Sequence, residues 1–600
     1  MAWYDEAVFY HIYPLGLLGA PKLNSYGKVD KRLPKLLPWI EHIKEIGCNA
    51  IYIGPLFMSV GHGYETTDYK VLDSRLGDND DLKAFVARCH ELDMKVIFDG
   101  VFNHTGRDFF AFKDLKEHRE NSRYKDWYCN VNFYGNNSYN DGFSYENWGG
   151  YDLLVKLNQK NGEVKDYICN VIRYWVSEFD VDGIRLDAAD VLDFDFMKEL
   201  RRTADSVKKD FWLMGEVIHG EYSRWANHDT LHSVTNYHLH KALYSGHNDH
   251  NYFEIAHTVK RLYDMGGNNP NGLKLYNFVD NHDVERIYTK LSNKANFFPV
   301  HVLLYSLPGI PSIYYGSEFG IEGRKYRGGS DDDIRPCLEL EDYKDAINNN
   351  PCTKIVSALG KIRQRNKALS YGDYREVKLT NRQFVFVRNY YDDNVIVSVN
   401  NDESPCTVST GNLPDGEYVG AISGRSLSVT NGYADIYLDA NSGEIWVHKA
   451  AMSDEFVGNI DTPKVNDNVG NINADEDDIE AREINIEDNS VKDFEQGCEA
   501  EVVDASNKAL EAACEKKEKL VSSGLENNAA KKYNLGDEYS HIDSELIKNR
   551  TDYEAMSIEE LQVAILEKMA QDGPVTDDMK RTVMENRHSG SLNNWVKSFR

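Results

Sequence analysis

The chain has 600 residues, too many for one compact core, so two to four domains are expected, at least one of them large. A formal net charge of −29 leaves no excess of Lys and Arg to neutralise phosphates; this argues against a nucleic-acid or anionic-membrane partner and favours a neutral substrate. Aromatic residues make up 12% of the chain, enough to pack several cores and still offer flat faces to a ligand.

In chain order, the opening MAWYDEAVFYHIYPLGLL lacks the basic segment, unbroken apolar core and small-residue cleavage site of a secretory signal. No run of about 18 apolar residues occurs. The nine cysteines are scattered without CxxC spacing, as reduced and mostly buried thiols would be. The expectation is a cytoplasmic protein without a membrane span.

Up to about residue 365, short runs rich in β-branched and aromatic residues alternate with segments of helical period, which predicts repeated βα units and a parallel sheet. The predicted strands are 8–13, 50–54, 96–102, 183–187, 212–217, 233–237, 275–280 and 311–315. Eight strands close a TIM barrel of the (β/α)8 type. Between them lie helices such as 80–92, which opens on acidic residues and carries Leu82, Phe85, Val86 and Cys89 at helical spacing. The third strand is followed by a stretch full of Asn, Tyr, Gly and Trp, far longer than an ordinary βα loop. Residues 1–104 and 166–366 are therefore assigned to an α/β barrel, and 105–165 to an inserted domain.

Beyond residue 370 the texture changes to strand-like alternation, as in 384–388, 395–399 and 444–448, with turns such as Pro414-Asp415-Gly416 between. Residues 367–450 read as an antiparallel β-sandwich. Residues 451–500 hold 15 acidic against 3 basic residues, so 451–540 reads as a disordered acidic linker. Order returns in 541–600, a short helical tail. There Ser557 and Glu560 form a capping box, and Ile558, Leu561, Ile565 and Met569 make one apolar stripe. This tail would dock on the main body or on a protein partner.

Three carboxylates stand at or just after the ends of predicted barrel strands: Asp187 in GIRLDAAD, Glu216 in MGEV and Asp283 in FVDNHD. Barrel sites are built on that face. Singly, each reads more readily as a cap, a loop salt bridge or a solvated acid. Jointly they suit glycoside cleavage, in which one carboxyl group protonates the leaving oxygen and another captures the oxocarbenium-like centre. Arg185, two residues before Asp187 on the same strand face, would hold that carboxylate ionised with a depressed pKa. Glu216 would need carboxylate neighbours and limited solvation to keep its proton.

Four segments, DGVFNH at 99–104, GIRLDAAD at 183–190, GEV at 215–217 and FVDNHD at 278–283, resemble in order and spacing the four short regions of the α-amylase family. The similarity runs from about Trp3 to Lys449. It implies a retaining hydrolase of α-1,4 bonds in maltooligosaccharides or starch-type glucans, working through a covalent glucosyl-enzyme. By position, Asp187 would be the nucleophile, Glu216 the acid/base and Asp283 the acid that grips sugar hydroxyls. His104 and His282 would hydrogen-bond the same sugar, Tyr64 would stack on it, and Asp99 would be a structural acid beside them. Asn103 resembles a calcium ligand of many α-amylases. One oxygen is far short of the six to eight that calcium takes, so no cofactor is required and a calcium site stays open.

Lys156-Leu-Asn158, HGYETTDY and GIPSIYYGSEFGIEG are similar to the neopullulanase, cyclomaltodextrinase and maltogenic amylase group. Asp190-Val191 departs both from that group, which has Asn-Glu there, and from the α-amylases, which have Lys-His. The alternatives are therefore cyclic-glucan or α-1,6 cleavage, glucosyl transfer, and an inactive sugar-binding relative.

Overall fold

A computed structural model describes residues 2–266, 272–326 and 330–449, with 558, 561–566 and 583 of the C-terminal region. The chain divides into two compact units, Met1–Gly497 and Cys498–Arg600.

In the first unit, eight parallel strands run β1 (Phe9–Ile12), β2 (Ala50–Ile53), β3 (Lys95–Gly100), β4 (Gly183–Leu186), β5 (Trp212–Gly215), β6 (Ser233–Val234), β7 (Tyr276–Asn277) and β8 (Ile310–Tyr314). Their order in the sheet is β6-β5-β4-β3-β2-β1-β8-β7, and a parallel bridge between Thr235 and Tyr276 closes it into a barrel. Side chains alternate as a strand's period of two requires. Phe9, Tyr52, Ile97, Trp212, Met214, Tyr276 and Ile310 fill the barrel, while Tyr10, Ile51, Phe98, Ile184 and Ile313 face the helices outside. All eight sequence-predicted strands are present, the sixth and seventh reduced to two residues each. The sixth ends at Val234 because the Asn236 side chain accepts from the Leu239 N–H and starts the helix Tyr237–Asn248. The expected helix 80–92 is Asn79–Glu91, capped by Asp78, whose carboxylate accepts from the N–H groups of Asp80 and Asp81.

Two excursions leave the C-terminal face. The first, not anticipated from sequence, is an irregular antiparallel hairpin of Phe57–Ser59 and Thr66–Leu72 that carries Tyr64 at its turn. The buried Glu65 carboxylate accepts from the N–H groups of Gly61 and Gly63, and Gly63 takes a φ of +102° that disfavours a side chain. The second follows β3: strand His104–Gly106, helix Phe110–His118, and strands Asn147–Trp148 and Tyr151–Lys156 that pair back to it. Phe112 packs there against Tyr128, Phe143 and Tyr145.

After the barrel come β9 (Asp373–Leu379), β10 (Gln383–Tyr390), β11 (Asp393–Asn400), β12 (Cys406–Thr410), β13 (Gly416–Gly420), β14 (Ser426–Val429), β15 (Ala434–Leu438) and β16 (Ser442–His448). They form a six-stranded antiparallel sheet in the order β9-β10-β11-β16-β13-β14, faced by the pair β12-β15. Val385, Val387, Ile396 and Trp446 of the large sheet join Val408, Ile436 and Leu438 of the small one in one core. The residues between them, Phe384, Phe386, Val397 and Ile445, belong to the main core of the barrel unit. The large sheet is thus buried on both faces. Helix Phe297–Ser306 is buried on every side, lying against β8, β11 and β16.

The seven described cysteines are all free thiols. No helix among the described residues is long and apolar enough to cross a membrane. The expected acidic linker at 451–540, the Ser557–Glu560 capping box and Met569 lie outside the described residues. In the second unit Leu561 and Ile565 are buried as expected, but so are Gln562, Val563, Ala564 and Leu566. The described turn is therefore enclosed all round instead of presenting one stripe, and Gln562 Nε2 donates to the Val583 carbonyl at 3.2 Å.

Candidate active site

The two expected acids sit one residue beyond adjacent strands, where the parallel ladder carries on. Asp187 N–H donates to the Gly100 carbonyl and Glu216 N–H to the Leu186 carbonyl. Between them Ala188 adopts a left-handed conformation, φ 46° and ψ 45°, at a cost of about 1–2 kcal/mol for a residue with a Cβ. The turn aims the Ala188 N–H at Glu216 Oε2, 3.1 Å away. Glycine precedes Glu216 for a steric reason: a Cβ on Gly215 would lie 2.7 Å from that of Ala189.

Asp99 on β3 and Arg185 on β4 are register partners, which puts their side chains side by side inside the barrel mouth. Arg185, 3% exposed, serves three carboxylates at once. Its Nη1 donates to Asp99 Oδ1 and Oδ2 at 2.8 and 3.0 Å and to Asp187 Oδ1 at 2.9 Å, and its Nη2 pairs with Glu216 Oε2 at 2.7 Å. A planar, permanently charged fork suits this, because it presents donors from two nitrogens in fixed directions.

Beside this cluster stand Tyr64 and the residues after β7. Tyr64 Oη donates to Asp99 Oδ2 at 3.2 Å and lies 2.5 Å from His282 Nε2. The Tyr64 and His282 rings are nearly parallel, 5.7 Å apart. His282 Nε2 is also 2.8 Å from Asp283 Oδ2, and Arg335 Nη2 donates to Asp283 Oδ1 at 2.9 Å. Asp187, Glu216, Asp283, Asp99, Arg185, Tyr64 and His282 thus form one contiguous group.

Electrostatics separates the three acids. Burial raises the Glu216 carboxyl to about 7 against the downward pull of Arg185, with Asp283 adding to the rise. Burial also raises Asp187 well above the ordinary Asp range; Arg185 opposes this, while Glu216, Asp99 and Asp283 reinforce it. The expectation of a depressed Asp187 is corrected here: Arg185 is divided among three carboxylates, and a single shared cation does not outweigh complete burial beside three acids. Burial pushes Asp283 up as well, but His282, Arg335 and Lys325 hold it well below its usual range. Asp283 is the fixed anion, and Asp187 and Glu216, both raised by burial, are joined through Arg185.

His104 and Asn103 stand one layer back. His104, 1% exposed, has Nε2 at 3.1 Å from the Tyr64 carbonyl and Nδ1 at 3.3 Å from Asn103 Nδ2, so both ring nitrogens are engaged by protein. Burial lowers its pKa to about 3, so the ring is neutral. Asn103, for which the resemblance left a calcium site open, is a poor fit to that ion. Its Oδ1 accepts from Gln159 Nε2 at 3.2 Å, a donor where a cation needs lone pairs. No group of three or more His, Cys, Asp or Glu among the described residues is arranged to hold a metal ion.

Sequence reasoning missed three contributors. Tyr52 Oη donates to Asp99 Oδ2 at 2.7 Å. Tyr13 lies parallel to the His282 ring at 5.7 Å. Arg335 holds Asp283, covers the Tyr13 ring at 4.8 Å and donates through Nε to the His282 carbonyl. Only Arg335 had a signal: a lone cation beside Pro336, after the acidic run 331–333, in the loop that follows the last barrel strand.

A closed parallel barrel with two buried acids bridged by one arginine on its C-terminal face and aromatic rings around them is the arrangement of a glycoside hydrolase. Comparison with known proteins agrees. Residues 36–375 match the family profile described as alpha amylase, catalytic domain. A cyclomaltodextrinase from Bacillus sp is 30% identical over 450 residues, covering 71% of this chain and 78% of that protein. A cyclomaltodextrinase from Thermoanaerobacter pseudethanolicus is 32% identical, over 66% of this chain and 71% of its own. A solved cyclomaltodextrinase structure superposes with a TM-score of 0.65 at 25% identity, covering 74% and 78% of the two chains. The chain belongs to the α-amylase family of glycoside hydrolases.

Proposed function

We propose that the protein is a retaining α-glucoside hydrolase that cleaves α-1,4 bonds of maltooligosaccharides, with Asp187 as nucleophile and Glu216 as general acid/base. The observation that carries this reading is the Arg185 guanidinium shared by both acids, with the Glu216 carboxyl raised to about 7. Two acids on one fork favour the short separation of about 5 to 5.5 Å that direct attack requires.

The reaction requires one proton on the pair, held by Glu216, with Asp187 as the anion beside Arg185. An Asp187 oxygen attacks the anomeric carbon as the bond to the leaving oxygen breaks, and Glu216 gives that oxygen its proton. Glu216, now ionised, takes a proton from water, whose oxygen attacks the same carbon and releases Asp187. Asp283 and His282 hold hydroxyls of the sugar, Tyr64 offers its ring to the apolar sugar face, and Asp99 keeps Arg185 in place. His104 supports Tyr64 from behind, since its ring nitrogens are both engaged.

A second reading, cyclic maltodextrins as substrate, is favoured by the relatives named cyclomaltodextrinase at 30% and 32% identity. The test is chromatography of products from maltoheptaose, β-cyclodextrin and pullulan, with Glu216→Gln as control. The wild type is expected to cleave maltoheptaose, and the Gln variant to lose about 10² to 10⁴ in rate. Cleavage of none of the three, or full activity in the Gln variant, overturns the assignment. Faster cleavage of β-cyclodextrin than of maltoheptaose selects the second reading.

A further inference from the structure

Behind Tyr64 runs a chain of four hydrogen bonds whose direction is fixed at both ends. The Asp193 backbone N–H, at the start of helix Phe194–Val207, donates to Gln159 Oε1 at 2.6 Å. A backbone N–H is only a donor, so the Gln159 amide is oriented with Nε2 on its far side, where it meets Asn103 Oδ1 at 3.2 Å. Asn103 is thereby oriented too, and its Nδ2 donates to His104 Nδ1 at 3.3 Å. With Nδ1 an acceptor, the ring proton is on Nε2, which donates to the Tyr64 carbonyl at 3.1 Å. A carbonyl is only an acceptor, so both termini demand the same polarity. Asn103, His104 and Gln159 are all buried, where a broken link leaves an unpaired polar group. The chain ties together the helix after β4, the end of the second excursion, the end of β3 and the hairpin turn that carries Tyr64.

We propose that Gln159 is a positioning residue that takes the place of a cation: its amide donates to Asn103 Oδ1 and locks the His104 tautomer that holds Tyr64 over the catalytic pair. A calcium ion at Asn103 Oδ1 would have to displace the Gln159 NH2 group and would break the chain at its second link. The site is therefore held by protein alone. The part of this inference that concerns the sugar rests on the proposed role of Tyr64.

The test uses the full-length chain and two readouts, melting temperature and kinetics on maltotriose. Wild-type Tm and kcat/KM are expected to be the same in EDTA and in calcium chloride. In Gln159→Leu, which neither accepts from Asp193 nor donates to Asn103, KM is expected to rise about tenfold with kcat little changed, and calcium to have no effect. Gln159→Glu keeps the acceptor for Asp193 but sets a carboxylate against Asn103 Oδ1, which turns the Asn103 amide and breaks its bond to His104 Nδ1, so its KM should rise as in the Leu variant. The proposal is overturned by wild-type melting that falls in EDTA, or by a wild-type KM in either Gln159→Leu or Gln159→Glu. Should the wild type cleave no glucoside, the proposed function fails, while the melting comparisons still decide this proposal.

Discussion

At Asp187 and Glu216, burial acts alike on two carboxyl groups, and their different tasks come from what else each side chain touches. Glu216 takes one fork nitrogen of Arg185 and the Ala188 N–H; Asp187 takes a share of the other nitrogen, which also serves Asp99. A group raised to about 7 is largely protonated below that pH, so a general acid at Glu216 is lost as pH rises through about 7. The acid limb, on which Asp187 must ionise, lies above the ordinary Asp range of about 3.9, since burial raises that carboxyl too. The kcat/KM profile on maltotriose should therefore fall above pH of about 7. With α-glucosyl fluoride, whose leaving group needs no proton, the fall should shift to higher pH or vanish. Identical alkaline limbs for the two substrates would remove Glu216 from the acid's role. The sequence made these residues legible because each lies in a contiguous segment at a strand end. It did not show that Arg185 also serves Asp99 and Glu216, and for that reason the direction of the Asp187 shift was misread from Arg185 alone. Tyr13 gave no sign of being a site residue and Arg335 only a local one, for a related reason: they reach His282 and Asp283 from loops at opposite ends of the barrel sequence, and no local pattern joins them.

Among the elements, the eight barrel strands were readable as short runs between helical segments, because each needs apolar residues on its inner and outer faces. The hairpin that carries Tyr64 was not, since its first strand has only three residues, its register shifts, and buried Glu65 and Asp73 supply much of the holding. The alternation in β10 was legible as strand, but both of its faces are apolar because one meets the small sheet and the other the barrel helices. The contact between β4 and β5 sets the position of Glu216, and Gly215 allows it. Gly215→Ala would force its Cβ against Ala189 and displace the acid. A misplacement of about 1 Å lowers rate by about 100-fold. The variant should thus lose kcat far beyond its loss of melting temperature, and wild-type kcat in a folded Gly215→Ala would mean that this approach does not set the geometry.

Over the whole first unit, barrel and sandwich share one apolar continuum through helix Phe297–Ser306, and two buried arginines bind that region by donating to backbone carbonyls. Arg363 reaches Tyr305 and Gly309; Arg388 reaches Ser306 and Gly372. This scaffold fixes the barrel mouth on which the acids stand, and the net charge of −29 on the 600-residue chain suits an uncharged substrate. Everything in the proposed chemistry converges on the fate of one bond at the anomeric carbon. Proton NMR of the first product formed from an α-linked maltooligosaccharide, recorded before mutarotation, reads that fate directly. Double displacement by Asp187 and Glu216 predicts that the new reducing end appears first as the α-anomer. Initial release of the β-anomer would mean that water attacks in a single displacement and would contradict the account.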